Sequence, residues 1–224
     1  MKTFSAIVSV SALAALCSAS SAGIITGKFT STLSQSADIT ASGVYDGSVN
    51  TVQFHWTRTD TAGSGIDSTV PLTFDTYCVD LAQKVKANTN FTFEVLSMTD
   101  AGYSVDQQNL LTQLWSSFKP GADTKAESAA LQLAIWEVIY DTNLNTTTGP
   151  FKVNSSSTLR NAAQSLVNSA SNSSTLPSNL QLVVLRSNTA QDQITAIPVV
   201  PSPGAAVLAG TGLLLAAPRR KNRA

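Results

Sequence analysis

Only two cysteines and one histidine occur in the chain, and charged residues make up no more than 12% of it. Each scarcity removes a class of function. His55, the lone histidine, cannot serve a histidine-rich metal centre or a credible Ser/His/Asp set, and no Cys/His cluster has metal-ligand spacing. No glycine-rich loop is built to cradle phosphate. Cys17 lies in an N-terminal segment that reads as removable, so Cys78 alone remains. One thiol cannot close an internal disulfide, and the fold has to stand on its own core. The sequence calls for no cofactor and no metal, and we expect no turnover enzyme.

The two ends carry export signals. Lys2, the apolar stretch Phe4–Leu16 and the small residues Ser20-Ser21-Ala22 form a secretory signal over residues 1–22. That stretch is short for a membrane span. At the other end, Val200-Pro201-Ser202-Pro203-Gly204 precedes a small-residue apolar run, Ala205–Ala217, and a basic finish at Arg219, Arg220, Lys221 and Arg223. The order suits a stop-transfer segment whose basic cluster stays on the cytoplasmic side. These last residues, 199–224, resemble the PEP-CTERM sorting signal that bacterial exosortases read and cleave, with Ser202 where that signal usually carries glutamate. The resemblance implies an exosortase-type processing enzyme and a membrane as partners; a plain C-terminal membrane anchor is the simpler reading. Either places residues 23–198 outside the cytoplasm, in the cell envelope or on its surface. Five of the 14 basic residues leave with the two ends while all 14 acidic ones stay, so the middle carries a net charge of −5. An acidic exported domain excludes nucleic acid as a partner, which requires a basic patch.

Residues 23–198 make one domain of ordinary size. Its first third predicts strands at Ile24–Leu33, Ile39–Tyr45 and Val49–Thr57, with Asp46-Gly47-Ser48 as the turn between the last two. Val52, Phe54 and Trp56 alternate with Gln53, His55 and Thr57, which gives one buried and one polar face. Thr59–Thr69 reads as a loop, and Leu72–Val79 and Asn90–Met98 as further strands. Leu110, Leu111, Leu114, Trp115 and Phe118 follow a helical period that Lys119-Pro120-Gly121 ends. Thr124 to Glu127 forms a capping box for a second helix, apolar at nearly every position from Ala129 to Tyr140. A polar third helix starts from Asn154 or Ser155 and runs to about Ala170, and Leu176–Asn188 with Gln191–Ile197 closes the domain as a hairpin. Strands, then helices, then strands predict an α+β fold: antiparallel β-sheet or sandwich elements with an inserted helical subregion.

Against this background two residues stand out. Cys78 is a lone thiol in Tyr77-Cys78-Val79-Asp80, and Gln132 is a lone carboxamide inside Leu131-Gln132-Leu133-Ala134-Ile135-Trp136. A buried amide without full hydrogen bonding costs about 1–3 kcal/mol, so Gln132 requires dedicated partners or chemical change. Attack of the thiolate on the carboxamide, with loss of ammonia, yields an internal thioester that suits an apolar site. Tyr77 and Trp136 could roof such a bond against water, and Asp80 could orient it or bond a turn backbone. The plain alternatives are a small buried hydrophobe for Cys78 and a loop-bonded helix residue for Gln132. His55 reads as a surface strand histidine. Glu137 and Asp141, one helical turn apart, could pair, but solvent exposure or capping is the expected fate.

Together, in this order on an exported chain, the two segments resemble the thioester domain of bacterial surface adhesins, from about Thr73 to Asp141. In that family a strand-borne cysteine joins a glutamine on a helix. The resemblance implies a Cys78–Gln132 thioester with Tyr77, Asp80 and Trp136 in support. It also implies covalent capture of an amine-bearing surface, a protein lysine or another amine, as the means of adhesion. A non-reactive structural or extracellular-matrix component sharing the fold is the alternative.

Overall fold

The structure, a computed structural model, describes residues 23–61 and 66–199. The secretory segment 1–22 and the sorting motif Val200, Pro201, Ser202, Pro203 and Gly204, with the tail after it, lie outside the described residues. The described residues are α+β: three α-helices and an antiparallel sheet of seven strands. The strands are β1 (Gly23–Ala41), β2 (Tyr45–Arg58), β3 (Thr73–Cys78), β4 (Phe91–Ser97), β5 (Phe151–Val153), β6 (Leu180–Arg186) and β7 (Gln193–Pro198). The helices are α1 (Val105–Phe118), α2 (Lys125–Tyr140) and α3 (Ser157–Ser171). Among the described residues no helix is long and apolar enough to cross a membrane.

The sheet runs β2-β3-β7-β6-β4-β1-β5, and a further β1–β2 pairing closes six of these strands into a ring. The length of β1 makes closure possible. One edge pairs with β2 from Ala41↔Tyr45 to Gly27↔Arg58, with a register shift between Phe29 and Ser31. The other edge serves β4 through Gly23–Gly27 and β5 through Ile39–Ala41. Closing a sheet on itself removes the unpaired edges that invite aggregation.

Here the structure corrects the sequence reading. The first two expected strands are one, and the chain reverses at Ser42-Gly43-Val44 instead of Asp46-Gly47-Ser48. Val44 N–H donates to the Ala41 carbonyl at 2.9 Å, and Gly43 supplies the left-handed φ of +76°, as three-residue hairpin loops require. Gly47 lies within β2 opposite Ile39. The short strand β5 was not anticipated. Ser156 is the N-cap of α3, accepting from Leu159 N–H; Ser155 and Asn154 instead bond the Asp38 N–H and the Thr40 hydroxyl.

Two apolar clusters follow from the strand alternation. Cys78, Val183 and Leu185 belong to the first, with Trp56, Phe93 and Trp136; Tyr77, Val79, Leu182 and Val184 belong to the second, with Leu114 and Trp115. Helix α2 feeds both, sending Ala129, Ala130, Leu133 and Trp136 one way and Leu131, Ala134, Ile135 and Val138 the other. It is buried from Ser128 to Val138, as its all-round apolar sequence requires. Its start is fixed by the expected capping box, in which Thr124 Oγ1 accepts from Glu127 N–H and Glu127 accepts from Thr124 N–H. Thr124→Ala is expected to cost about 1 kcal/mol, read as a shift of the denaturant midpoint at constant m-value.

Candidate functional site

Strand β3 lies between β2 and β7, and it ends on Cys78, which pairs with Gln193 of β7. Helix α2 crosses beside it and turns Gln132 inward. Both residues are buried, Cys78 2% exposed and Gln132 0%. The Gln132 carboxamide lies flat against the peptide groups of Cys78. Cys78 N–H donates to Gln132 Oε1 at 2.9 Å, and Gln132 Nε2–H donates to the Cys78 carbonyl at 2.8 Å. Oε1 and Nε2 thus each have a partner, and both partners belong to Cys78, whose thiol is free. Residues 54 positions apart in sequence are fixed against each other by two short bonds.

The sulfur has its own polar surroundings. Its S–H donates to Gln191 Oε1 at 3.1 Å, and Gln193 Nε2–H donates to the sulfur at 3.4 Å. Gln191 is anchored in turn by donating to the Asp80 carbonyl at 2.8 Å. Gln193 Oε1 accepts from Thr76 Oγ1–H, and Thr76 Oγ1 accepts from Trp56 Nε1–H, both at 2.8 Å. A wire of buried donors therefore runs from the aromatic core to the thiol. Burial pushes the Cys78 thiol up to about 12; the Gln193 hydrogen bond pulls the other way and the Asp80 charge adds to the rise.

Of the supporting residues, Trp136 is fully buried in the same cluster as Cys78, and its indole N–H has no acceptor. Asp80 caps a tight turn, Oδ1 accepting from Ala82 N–H at 2.6 Å. Tyr77 belongs to the other cluster, edge-on to Trp115, because neighbouring strand residues face opposite ways. Its hydroxyl donates to Gln53 Oε1 at 2.8 Å. Gln53, expected on the polar face, is only 3% exposed and spends its carboxamide on Tyr77 and Asp75. His55 is half-exposed and pairs with Asp75, which also takes Lys119 Nζ.

Sequence reasoning missed Gln191 and Gln193. Two glutamines flanking Asp192 at the start of the last strand were visible, but only the β3–β7 register reveals that they meet the thiol. Glu137 and Asp141, expected at the surface or in a cap, are buried at 0% and 3% exposed, with Asp141 also the C-cap of α2. Gly149, in the loop after α2, lies directly against the Asp141 carboxylate.

Two solved structures have a similar fold. The N-terminal domain of the Streptococcus pyogenes pilus tip adhesin Cpa superposes with a TM-score of 0.41 at 17% identity, over 66% of this chain and 84% of that one. The N-terminal thioester domain of a surface protein from Clostridium perfringens gives 0.44 at 10% identity, over 79% of this chain and 100% of that one. Both likenesses are distant. No protein-family model matches the chain, and no curated protein matches it.

Proposed function

We propose that the chain is an exported, envelope-attached domain in which Cys78 and Gln132 form an internal thioester that captures amines once, as an adhesin and not as a turnover enzyme. The observation that carries this reading is the two-point seating of the Gln132 carboxamide on Cys78. The hydrogen bond to Oε1 polarises the acyl group and is aimed at the oxygen on which charge develops during attack. In the reaction the Cys78 sulfur bonds to Gln132 Cδ, the Cδ–Nε2 bond breaks, the thiol proton passes to the nitrogen and ammonia leaves. The two side chains hydrogen-bonded to the sulfur, Gln191 and Gln193, are carboxamides that do not ionise near neutral pH, so neither serves the thiol as a general base. Proximity and orientation supply most of the acceleration, and the step fits a single slow maturation. Burial then keeps water from the product. Capture reverses the roles: an amine nitrogen bonds to Cδ, the C–S bond breaks, and Cys78 regains its thiol proton.

Mass spectrometry of the intact purified protein tests this. The expected mass is lighter than the sequence mass, after any signal removal, by one ammonia, and methylamine then adds stoichiometrically while freeing one thiol. An unmodified mass, with Cys78 titrating fully in denaturant, overturns the reading. It would favour the non-reactive structural or matrix component, which has support of its own: as a carboxamide Gln132 is already well bonded, with no orphaned atom calling for reaction. Export, exosortase processing and membrane attachment rest on the terminal segments and belong to the same proposal. They are checked by N- and C-terminal peptide mapping of protein recovered from the envelope.

A further inference from the structure

The geometry points to a second site, independent of the thiol: Glu137 and Asp141, at the C-terminal end of α2, hold a hard divalent cation of the calcium type. The two carboxylates lie four residues apart, on one helical face. Glu137 is 0% exposed, and neither of its oxygens accepts a hydrogen bond. Asp141 is 3% exposed; Oδ1 accepts from Asn143 N–H at 2.7 Å, while Oδ2 has no partner. Three buried carboxylate oxygens are thus left without a donor. Among the described residues, none of the ion pairs formed involves Glu137 or Asp141.

A fold that buries two carboxylates with no counter-charge requires one from elsewhere. A single proton shared between them satisfies two oxygens at most; a cation takes all three. The helix end adds its own negative potential, which favours a cation. Gly149, at φ +100°, is packed directly against Asp141 Oδ2, and any Cβ there would push that oxygen out of place. Asp141 also borders a solvent-open cavity of about 760 Å³ beside Gln107 and Leu144, which gives an ion a way in. The donor chemistry selects the ion. No group of three or more His, Cys, Asp or Glu side chains converges among the described residues, so the remaining ligands are neutral oxygens and water. Such a set suits calcium, which takes six to eight oxygens, and not zinc. The segment after α2 supplies candidates in Thr142 and Asn143, both adjacent to Asp141.

The test uses the full-length protein, stripped with EDTA and titrated with CaCl2, with MgCl2 and with terbium, whose emission Trp136, the residue beside Glu137, can sensitise. Calcium at a hundredfold excess over Kd is expected to raise the melting temperature by about 5–10 °C and to displace terbium emission. Glu137→Gln and Asp141→Asn should each weaken calcium binding at least tenfold. If one variant fails to fold, the other and the wild-type titration still decide. Absence of both a thermal shift and terbium emission at millimolar calcium overturns the site in favour of a shared proton. A shift that both variants retain overturns it in favour of weak surface binding.

Discussion

The Gln132→Ala protein should melt about 10 °C below the Cys78→Ala protein, although either change alone should abolish amine capture. The asymmetry comes from where the hydrogen bonds end. Gln132→Ala orphans the buried N–H and carbonyl of Cys78, and each orphan costs about 1–3 kcal/mol. It also leaves a void in a helix buried from Ser128 to Val138. The sum is about 3–5 kcal/mol, a large part of the stability of an ordinary domain. Cys78→Ala keeps both peptide groups and the carboxamide on them. Against the unreacted protein it deletes only the sulfur and its two weak contacts with Gln191 and Gln193, at about 1 kcal/mol. Thermal melts of both variants, read beside methylamine incorporation, separate architecture from chemistry. Equal destabilisation by the two would mean that the carboxamide is not seated on the Cys78 backbone.

The same pair shows what the sequence could and could not disclose. A polar residue in a helix apolar on every side, and a thiol with no disulfide partner, are anomalies at the level of composition, and their types suggest a reaction between them. The α+β order of strands, helices and strands was legible for a similar reason: period and capping chemistry are local. Register is not local. Nothing in Gln191-Asp192-Gln193 says that β7 pairs with β3 at Cys78, so the polar surroundings of the sulfur stayed hidden. Gln53 misled because alternation predicts a polar outer face, whereas helix α2 covers that face and Ser128 lies within 3.4 Å of the same Tyr77 hydroxyl that Gln53 binds. The hairpin turn was misplaced because Asp-Gly-Ser is the stronger local turn signal. The pairing of β1 with β2 on both sides of Gly47 overrides it.

Trp56→Ala is expected to destabilise the domain by about 3–5 kcal/mol, and to do so without touching either reacting residue. Trp56 is 1% exposed, and Phe29, Phe54, Phe74, Phe91 and Phe93 surround its ring with centroids 5.2–6.4 Å away. Truncation therefore opens a cavity against five rings that closed-sheet geometry holds apart. Trp56→Phe is the sharper variant. It keeps most of the aromatic volume but removes the indole N–H from Thr76 Oγ1, the first link of the wire that ends on the sulfur through Gln193. A loss of about 1–2 kcal/mol is expected from that buried, one-sided deletion. If the wire orients the thiol, maturation should slow as well, measured as the rate at which newly refolded protein loses ammonia. Thr76→Val should slow it to a similar degree, because it breaks the same wire one link further on. A Trp56→Phe protein that is less stable yet matures at the wild-type rate would restrict the wire to a packing role and leave the seating of Gln132 as the sole positioning device.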